Sequence, residues 1–302
     1  MPTDASLTVA LVQHACHPDP EANRQTIDDG LCEAADRGAR LVLLQELHDT
    51  PYFCQSEDPA CFDLAETIPG PATERLSARA RELNLVIVAS LFEKRAPGLY
   101  HNTAVVLDSD GRLAGRYRKM HIPDDPGYYE KFYFTPGDLG FQPVETAVGR
   151  LGVLICWDQW FPEAARLMAL AGAELLLYPT AIGWDPQDEP DEKARQLDAW
   201  RTVQRGHAIA NGLPLLCCNR IGTEKAADGS AIDFWGHSFI AGPQGEILAE
   251  ASPDEPVVLV HTLDRSRTER VRRIWPFLRD RRIDAYGDLI CRYRDGATSK
   301  KR

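Results

Sequence analysis

Residues 150–163 are Arg150-Leu151-Gly152-Val153-Leu154-Ile155-Cys156-Trp157-Asp158-Gln159-Trp160-Phe161-Pro162-Glu163, an apolar run that ends at a cysteine and is followed by a proline. The run 151–155 is too short for a helix but suits a buried strand, and proline suits the first turn of a helix. We therefore predict a strand, a sharp turn and a helix, with Cys156 at the carboxyl end of the strand. Open α/β sheets bind ligands at that end, where backbone N–H groups can stabilise a thiolate or an oxyanion. The alternative is a buried strand cysteine that packs as a small apolar side chain.

The rest of the chain alternates strand and helix patterns without low-complexity segments. We predict further strands at 7–13, 41–44, 85–91, 175–178, 215–218 and 257–261, hairpins at 102–117 and across 242–245, and helices at 19–37, 71–83, 161–171 and 191–211. Repeated βα units with hairpin edges predict two mixed sheets, packed face to face and covered by helices outside. No Gly/Ser/Pro-rich linker divides the chain, so we expect one domain at 1–263 and a basic tail at 264–302.

Composition is that of an ordinary globular protein, with 44% hydrophobic and 26% charged residues among 302. The net charge of −11 disfavours nucleic acid and anionic membrane surfaces as partners and mildly favours a neutral or cationic ligand. No apolar run approaches the roughly 18 residues that span a bilayer, and the N-terminus lacks a basic region followed by an apolar one. We therefore expect a cytoplasmic protein.

The cysteines and histidines do not show the spacing of a metal site. The eight cysteines are scattered without CxxC pairs, which predicts reduced thiols rather than disulfides or structural zinc. His14 and His17 lie three residues apart after a predicted strand, without a neighbouring carboxylate or cysteine to complete a site. We expect no metal.

Two charged residues end predicted strands in the way that Cys156 does. Glu46 follows the apolar strand 41–44, and Lys119 follows the hairpin strand before a proline-containing loop. Either residue alone is weak evidence for a catalytic site, since a lysine at such a position is ordinarily exposed and solvated. Together they matter, because a cysteine nucleophile needs a base and attack on an amide carbonyl needs a cation near the oxyanion.

The motifs around these residues resemble those of the nitrilase, or carbon–nitrogen hydrolase, superfamily. The matching runs are Leu44-Gln45-Glu46, Arg118-Lys119-Met120-His121, Leu154-Ile155-Cys156-Trp157-Asp158, Phe161-Pro162-Glu163, Asn219-Arg220-Ile221-Gly222 and Gly242-Pro243-Gln244-Gly245-Glu246-Ile247. The resemblance covers the chain from about residue 7 to 260. It implies a four-layer αββα sandwich, and a triad in which Glu46 is the general base, Lys119 stabilises the oxyanion and Cys156 is the nucleophile. A second glutamate often seen in such sites corresponds to Glu130.

The mechanism that this resemblance implies is hydrolysis through a covalent intermediate. Glu46 takes the proton of Cys156, the thiolate attacks the carbonyl carbon, and Lys119 and the backbone N–H of Trp157 hold the oxyanion. Ammonia leaves first, and Glu46 then activates water to hydrolyse the thioester-like intermediate. No metal or organic cofactor is needed.

Several runs are most similar to those of family members that hydrolyse N-carbamoylputrescine in the route from arginine to polyamines. No arginine follows Cys156 closely, where relatives that cleave carbamoyl amino acids hold a substrate carboxylate. A substrate with a cationic end is therefore expected, with Asp125 or Asp188 near the ammonium and Tyr52, Trp157 and Trp184 along the stem. The alternative interpretation is that those acidic loops are only solvated surface and bind no ligand.

Three alternatives remain from the sequence. In the first, the substrate is a carbamoyl amino acid, as in a β-ureidopropionase, and in the second it is another aliphatic amide or a nitrile. The remote alternative is a non-catalytic scaffold, which would usually have lost one residue of the triad.

The tail carries eleven arginines in an otherwise acidic protein. Eight of them lie between residues 265 and 282: Arg265, Arg267, Arg270, Arg272, Arg273, Arg279, Arg281 and Arg282. Either they form a solvated helix face or they dock on an acidic surface of another subunit. Relatives associate through the helix after the nucleophile, so the resemblance implies a homo-oligomer, a dimer or higher.

Overall fold

Two mixed β-sheets form the centre of the protein, and each is built around three parallel strands. The computed structural model describes residues 5–226 and 228–294. The strands in this part of the chain are β1 (Ser6–Gln13), β2 (Leu41–Leu44), β3 (Val86–Ala96), β4 (Leu99–Leu107), β5 (Leu113–Arg118), β6 (Val144–Thr146), β7 (Gly149–Val153), β8 (Leu175–Pro179), β9 (Gly183–Trp184), β10 (Leu215–Cys218), β11 (Ile221–Lys225), β12 (Ala231–Trp235), β13 (Phe239–Ala241), β14 (Ile247–Glu250) and β15 (Val257–Asp264).

Helices flank the sheets on their outer faces. They are α1 (Pro20–Asp36), α2 (Pro71–Leu83), α3 (Glu130–Tyr133), α4 (Pro162–Leu170), α5 (Pro190–Asn211) and α6 (Arg265–Ile274). Four of them begin at a proline, whose missing N–H costs nothing in the first helical turn. α1 is also capped by the side chain of Asp19, which accepts a hydrogen bond from the N–H of Glu21, and α5 ends at Gly212 with a φ of 57°.

The first sheet has the strand order β15-β1-β2-β3-β4-β5 and the second β14-β13-β10-β8-β7-β6. In both, the three inner strands that follow one another through helices are parallel, and the outer pairings are antiparallel. This arrangement confirms the predicted four-layer αββα sandwich.

Alternation along the strands of the first sheet separates two apolar layers. In β2, Leu41 and Leu43 face the second sheet, whereas Val42 and Leu44 pack against α1 and α2. Strands buried on both faces read as continuous apolar runs, which is why residues 41–44 show no polar alternation. The layer between the sheets is the larger core, and the carboxyl ends of β2 and β7 open at one edge of it.

Some element boundaries differ from the predictions. β7 ends at Val153 rather than 155, and a short 3₁₀ helix, Cys156–Trp160, precedes α4. The residue pattern did not indicate the small antiparallel sheet of β11, β12 and β9, whose strands β9 and β11 follow β8 and β10 of the second sheet in the chain. No helix among the described residues is long and apolar enough to span a bilayer.

The division into a domain at 1–263 and a tail at 264–302 stays a prediction; in the structure β15 ends at Asp264 and α6 follows directly. Val271 of α6 is buried against the body of the protein, and two 3₁₀ turns follow at Ile283–Ala285 and Gly287–Ile290. The last residues of the predicted tail, 295–302, and residues 1–4 of the predicted domain lie outside the described residues.

A buried ion pair holds the end of β5, immediately before Lys119. Arg118 donates from Nε and Nη2 to the Glu93 carboxylate at 2.8 and 2.6 Å, and Thr103 Oγ1 donates to the same group at 2.6 Å. Burial alone would raise the pKa of Glu93, but these hydrogen bonds lower it below its usual value. The ionised carboxylate therefore ties together β3, β4 and β5.

We predict that Glu93→Gln lowers the free energy of unfolding by about 3 kcal/mol near neutral pH, because Arg118 loses a buried counter-ion. The folded-state pKa of Glu93 is depressed, so its contribution is present above the unfolded-state pKa and is lost as the pH falls. Urea denaturation should therefore show the difference between wild type and variant closing in acid.

The matched control is Glu33→Gln, which removes an exposed partner of Arg37 at 2.8 Å in α1. Such pairs contribute about 0.5 kcal/mol or less. A Glu93→Gln variant no less stable than this control at neutral pH would contradict the assigned role of the pair.

Candidate active site

Cys156 lies in the sharp turn between β7 and α4. Its φ of 41° is in the left-handed region, which non-glycine residues rarely adopt and which often marks a functional position. The buried carboxylate of Asp158 pins this turn by accepting the N–H of Ile155 at 2.9 Å and the hydroxyl of Tyr117 at 2.8 Å. The same carboxylate accepts the N–H of His121 at 3.0 Å, so it joins the cysteine turn to the segment that follows Lys119.

Three charged side chains with no more than 1% exposure form a cluster beside this turn. Lys119 Nζ lies 2.8 Å from Glu46 Oε1 and 2.8 and 2.6 Å from the two oxygens of Glu130. Glu46 follows β2, Lys119 follows β5 and Glu130 begins α3, so the cluster joins three separate parts of the chain. The structure brings together Glu46, Lys119, Glu130 and Cys156, as the sequence predicted.

Burial and mutual charge set the ionisation of this cluster. Burial alone would lower the pKa of Lys119, but Glu130 and Glu46 hold it well above its usual value, so the ammonium stays charged. Burial raises the pKa of Glu130 to about 7, against the opposing effect of Lys119. Tyr52 donates its hydroxyl to Glu130 Oε1 at 2.7 Å and so favours the ionised carboxylate.

The thiol of Cys156 is not preformed as a thiolate. Burial raises its pKa well above the usual value, and the negative charge of Glu46 raises it further, more than that of Glu130 does. Of the two carboxylates, Glu46 therefore has the stronger effect on the pKa of the thiol, and the charge of Lys119 opposes both. A group of this kind needs a base at the moment of attack.

The backbone at Glu46 is held by a residue that sequence reasoning left without a role. Arg220 is fully buried, and its Nη2 donates to the backbone oxygens of Glu46 and Leu47, both at 2.9 Å. Its Nη1 donates to Glu224 at 2.6 Å. The Asn-Arg-Ile-Gly run was quoted only for the resemblance, because the backbone oxygens of Glu46 and Leu47 that Arg220 contacts lie more than 170 residues away in sequence.

A cavity of about 430 Å³ opens onto Cys156 and Glu130. Its lining includes both aromatic and acidic residues: Pro123, Asp125, Pro126, Tyr128, Trp157, Trp160, Ile182, Gly183, Asp185, Asp188, Gln196, Ala199 and Trp235 complete it. None of the described residues in this lining is positively charged. A larger cavity of about 540 Å³ lies between the starts of α1 and α2 and contains none of the predicted catalytic residues, so the chemistry assigns the smaller one as the site.

The predicted substrate-binding residues fall into two groups. Asp125, Trp157 and Asp188 line the cavity. Tyr52 and Trp184 do not: the former is buried behind Glu130, and the latter packs its ring 5.1 Å from that of Trp235.

Other lining residues were not predicted. Trp160 lies in the quoted nucleophile segment but was assigned no role, and Trp235 comes from the unpredicted strand β12. Asp185 belongs to the acidic loop that also contains Asp188. Among these residues, only the acidic loop was recognisable from the sequence as a candidate binding segment. Trp235 was not, because the residue pattern did not indicate the small sheet to which β12 belongs.

Comparison with known proteins agrees with this geometry. Residues 8–273 match the family model described as carbon-nitrogen hydrolase. N-carbamoylputrescine amidase from Solanum lycopersicum is 46% identical over 288 residues, which cover 94% of this chain and 95% of that protein. Citrullinase from Francisella tularensis subsp. tularensis is 42% identical over 290 residues, which cover 96% and 100%.

A solved structure is also similar. The crystal structure of a carbon-nitrogen hydrolase from Helicobacter pylori G27 shares 54% identity with a TM-score of 0.93, and the match covers 96% of this chain and all of that one. The sequence match, the shared fold and the buried cluster beside Cys156 lead to one conclusion. The chain belongs to the carbon–nitrogen hydrolase family and is a hydrolase of carbon–nitrogen bonds other than peptide bonds.

Proposed function

We propose that this protein hydrolyses N-carbamoylputrescine to putrescine, CO₂ and ammonia through a covalent intermediate on Cys156. The observation that carries the proposal is the buried Glu46–Lys119–Glu130 cluster beside Cys156, at a cavity whose described charged lining is entirely acidic. The relatives named N-carbamoylputrescine amidase support the same substrate. In this proposal the reaction is the last step of one route from arginine to polyamines, and a cytoplasmic location remains a prediction from the sequence.

The first half of the reaction acylates the cysteine. Glu46 takes the thiol proton as Cys156 attacks the carbamoyl carbon, and the charged Nζ of Lys119 stabilises the oxygen that becomes negative. The backbone N–H of Trp157 is the second donor in this proposal. When the carbon–nitrogen bond breaks, Glu46 returns the proton to the leaving nitrogen, and ammonia departs.

The second half removes the acyl group. Glu46 takes a proton from water as the oxygen of that water adds to the thioester-like carbon. The carbon–sulfur bond then breaks, and Glu46 gives the proton to the leaving sulfur, which restores the thiol of Cys156. The product is a carbamate of putrescine, which loses CO₂. Glu130 hydrogen bonds to Lys119 throughout and, with Glu46, keeps the ammonium charged.

Asp188 is the carboxylate best placed for the distal ammonium. It is half-buried and accepts a hydrogen bond from Gln196 Nε2 at 3.1 Å, whereas Asp125 and Asp185 are exposed. An exposed carboxylate is screened by water, so a partly buried one discriminates charge more strongly. The rings of Trp157, Trp160 and Trp235 offer the apolar surface that four methylenes require.

Citrulline is the second candidate substrate, because one relative is named citrullinase. Citrulline carries a carboxylate beside its ammonium, and that carboxylate would need a cation in the cavity. The described lining offers Asp125, Asp185 and Asp188 instead. Like charges in a partly desolvated site cost several kcal/mol, so the lining favours the substrate without the carboxylate.

We predict that kcat/KM for N-carbamoylputrescine exceeds that for N-carbamoyl-4-aminobutyrate or citrulline by on the order of 100- to 1000-fold. N-butylurea is the neutral control, because it has the same carbamoyl group and stem without the ammonium. Steady-state ammonia release with the four compounds measures the preference, and Cys156→Ser supplies the background.

Asp188→Asn should lower kcat/KM for N-carbamoylputrescine and leave that for N-butylurea nearly unchanged. Asp125→Asn and Asp185→Asn are the matched controls from exposed positions. Equal rates for the cationic and anionic substrates, or a preference for citrulline, would overturn the proposed substrate.

We further propose that the chain forms a homo-oligomer with a second copy of itself, although not through its tail arginines. The structure pairs several of them within the chain: Arg267 with Glu246, Arg270 with Asp264, Arg273 with Glu269, Arg279 with Asp280 and Arg282 with Asp284. Besides these ion pairs, the described tail exposes apolar side chains, including Ile274, Ile283, Leu289, Ile290 and Tyr293. An apolar surface of this kind is typical of an interface.

Light scattering should therefore give more than the 33.7 kDa of one chain. Ile283→Asp with Ile290→Asp should reduce that mass, because a charge on the interface is costly to bury. Leu64→Asp is the control, since Leu64 is 45% exposed on a different surface. A wild-type mass of one chain, or no effect of the paired substitution, would contradict this proposal.

A further inference from the structure

The two oxygens of Glu46 have different surroundings. Oε1 accepts two hydrogen bonds, from Lys119 Nζ at 2.8 Å and from Asn102 Nδ2 at 2.7 Å. Oε2 is buried and has no hydrogen-bond partner among the described residues. A buried carboxylate oxygen without a partner costs free energy, and in a catalytic site such an oxygen is open to accept a proton.

The orientation of Asn102 is set by Ser90. Ser90 Oγ accepts the backbone N–H of Leu47 at 3.2 Å, so its own hydrogen is directed elsewhere, to Asn102 Oδ1 at 2.8 Å. With its oxygen bound to this donor, the amide of Asn102 presents its N–H₂ group to Glu46. Both side chains are completely buried, in the adjacent strands β3 and β4.

Asn102 and Ser90 also hold the backbone at Lys119 and next to Glu46. The backbone oxygen of Asn102 accepts the N–H of Lys119 at 2.9 Å, so one residue positions the ammonium and the carboxylate together. Leu47, which donates to Ser90, has a φ of 46°, an unfavourable conformation that the surrounding contacts hold in place. Asn102 is therefore bonded on its side-chain oxygen, its side-chain nitrogen and its backbone.

We propose that Asn102, oriented by Ser90, is a positioning residue that donates to Glu46 Oε1 and occupies it, so that Oε2 is the oxygen that accepts the proton of Cys156. This inference rests on the proposed function, because it takes Glu46 as the general base. It assigns Asn102 no contact with the substrate.

The proton can be followed atom by atom. The S–H bond of Cys156 breaks and an O–H bond forms at Glu46 Oε2, while sulfur forms its bond to the carbonyl carbon. The carbon–nitrogen bond then breaks, and the proton on Oε2 moves to the leaving nitrogen. Oε1 keeps its two hydrogen bonds throughout, which is why the same oxygen carries the proton in both directions.

The direct test is Asn102→Leu, which removes the donor and keeps similar volume. One hydrogen bond to a charged group corresponds to a loss of roughly 10- to 100-fold in kcat, with KM changed by less than about threefold. Because the donor stabilises the carboxylate form, its removal should also move the acid limb of the kcat/KM profile to higher pH. Lys119, Glu130, Cys156 and Arg220 also face Glu46 and are unchanged in the variant.

Asn102→Asp and Ser90→Ala are the companion variants, in case Asn102→Leu does not fold. The aspartate keeps the shape but, when ionised, donates nothing and repels Glu46, so it should be at least as slow near neutral pH. Ser90→Ala leaves Asn102 in place without its orienting donor and should show a smaller loss. The double variant with Asn102→Leu should be no slower than Asn102→Leu alone, because both act through one hydrogen bond.

Asn23→Leu is the matched control. Asn23 is also a buried amide, and its Nδ2 donates to the backbone oxygens of His17 and Asp49, away from the cluster. It should lower stability without moving the acid limb. An acid limb that stays in place in both Asn102 variants, or a loss that lies wholly in KM, would overturn the proposed role.

The two proposals fail separately. If wild type does not prefer N-carbamoylputrescine but hydrolyses another amide, such as butyramide, the proposed substrate is wrong and the Asn102 profile is measured on that amide instead. If N-carbamoylputrescine is hydrolysed with the expected preference and Asn102→Leu retains the wild-type profile, the proposed function stands and the role of Asn102 is wrong.

Discussion

The site depends on a single buried ammonium held between two carboxylates. Moving the charge of Lys119 out of water costs far more than an ordinary side-chain contact provides, and only close, hydrogen-bonded counter-ions offset that cost. Glu46 and Glu130 do so at 2.6–2.8 Å. Because the three groups come from β2, β5 and α3, they meet only when the first sheet is fully assembled. Burial and the charges of the same two carboxylates raise the pKa of the Cys156 thiol, so that in the proposed mechanism Glu46 must take the proton as the sulfur attacks. The same buried charges therefore contribute both to the folded structure and to the chemistry of the site.

Much of this arrangement is predictable from local sequence, and the reasons are physical. A short apolar run followed by a polar residue marks the carboxyl end of a buried strand, which placed Cys156 and Glu46 at the same edge of the sheets. The residues that orient them are different. Asn102 lies within an apolar strand, Arg220 acts through hydrogen bonds to backbone more than 170 residues away, and Asp158 turns inward to pin its own segment. The hydrogen-bond partners of these residues are determined by how distant strands pack, and the hydrophobic periodicity of the sequence contains no information about that packing.

The charges that line the cavity are also only partly predictable from local sequence. The overall charge of −11 says little, since solubility alone accounts for an acidic surface. What matters is which acids the fold brings to one cavity, and how exposed each is. Asp188 is half-buried beside three tryptophan rings, one of them from β12, whereas Trp184 of the same loop turns away to pack on Trp235. A loop sequence gives the types of residue available for binding, but the small sheet of β9, β11 and β12 decides which of them face the substrate.

The central claim is that Cys156 forms the covalent intermediate, and mass spectrometry of acid-quenched enzyme tests it most directly. During turnover of N-carbamoylputrescine, the account predicts an added mass equal to the substrate minus ammonia, located by peptide mapping on the fragment that contains Cys156. The Glu46→Gln variant should form the adduct more slowly, because the base that takes the thiol proton is gone. Turnover with no adduct at any quench time, or an adduct on a different side chain, would contradict the account.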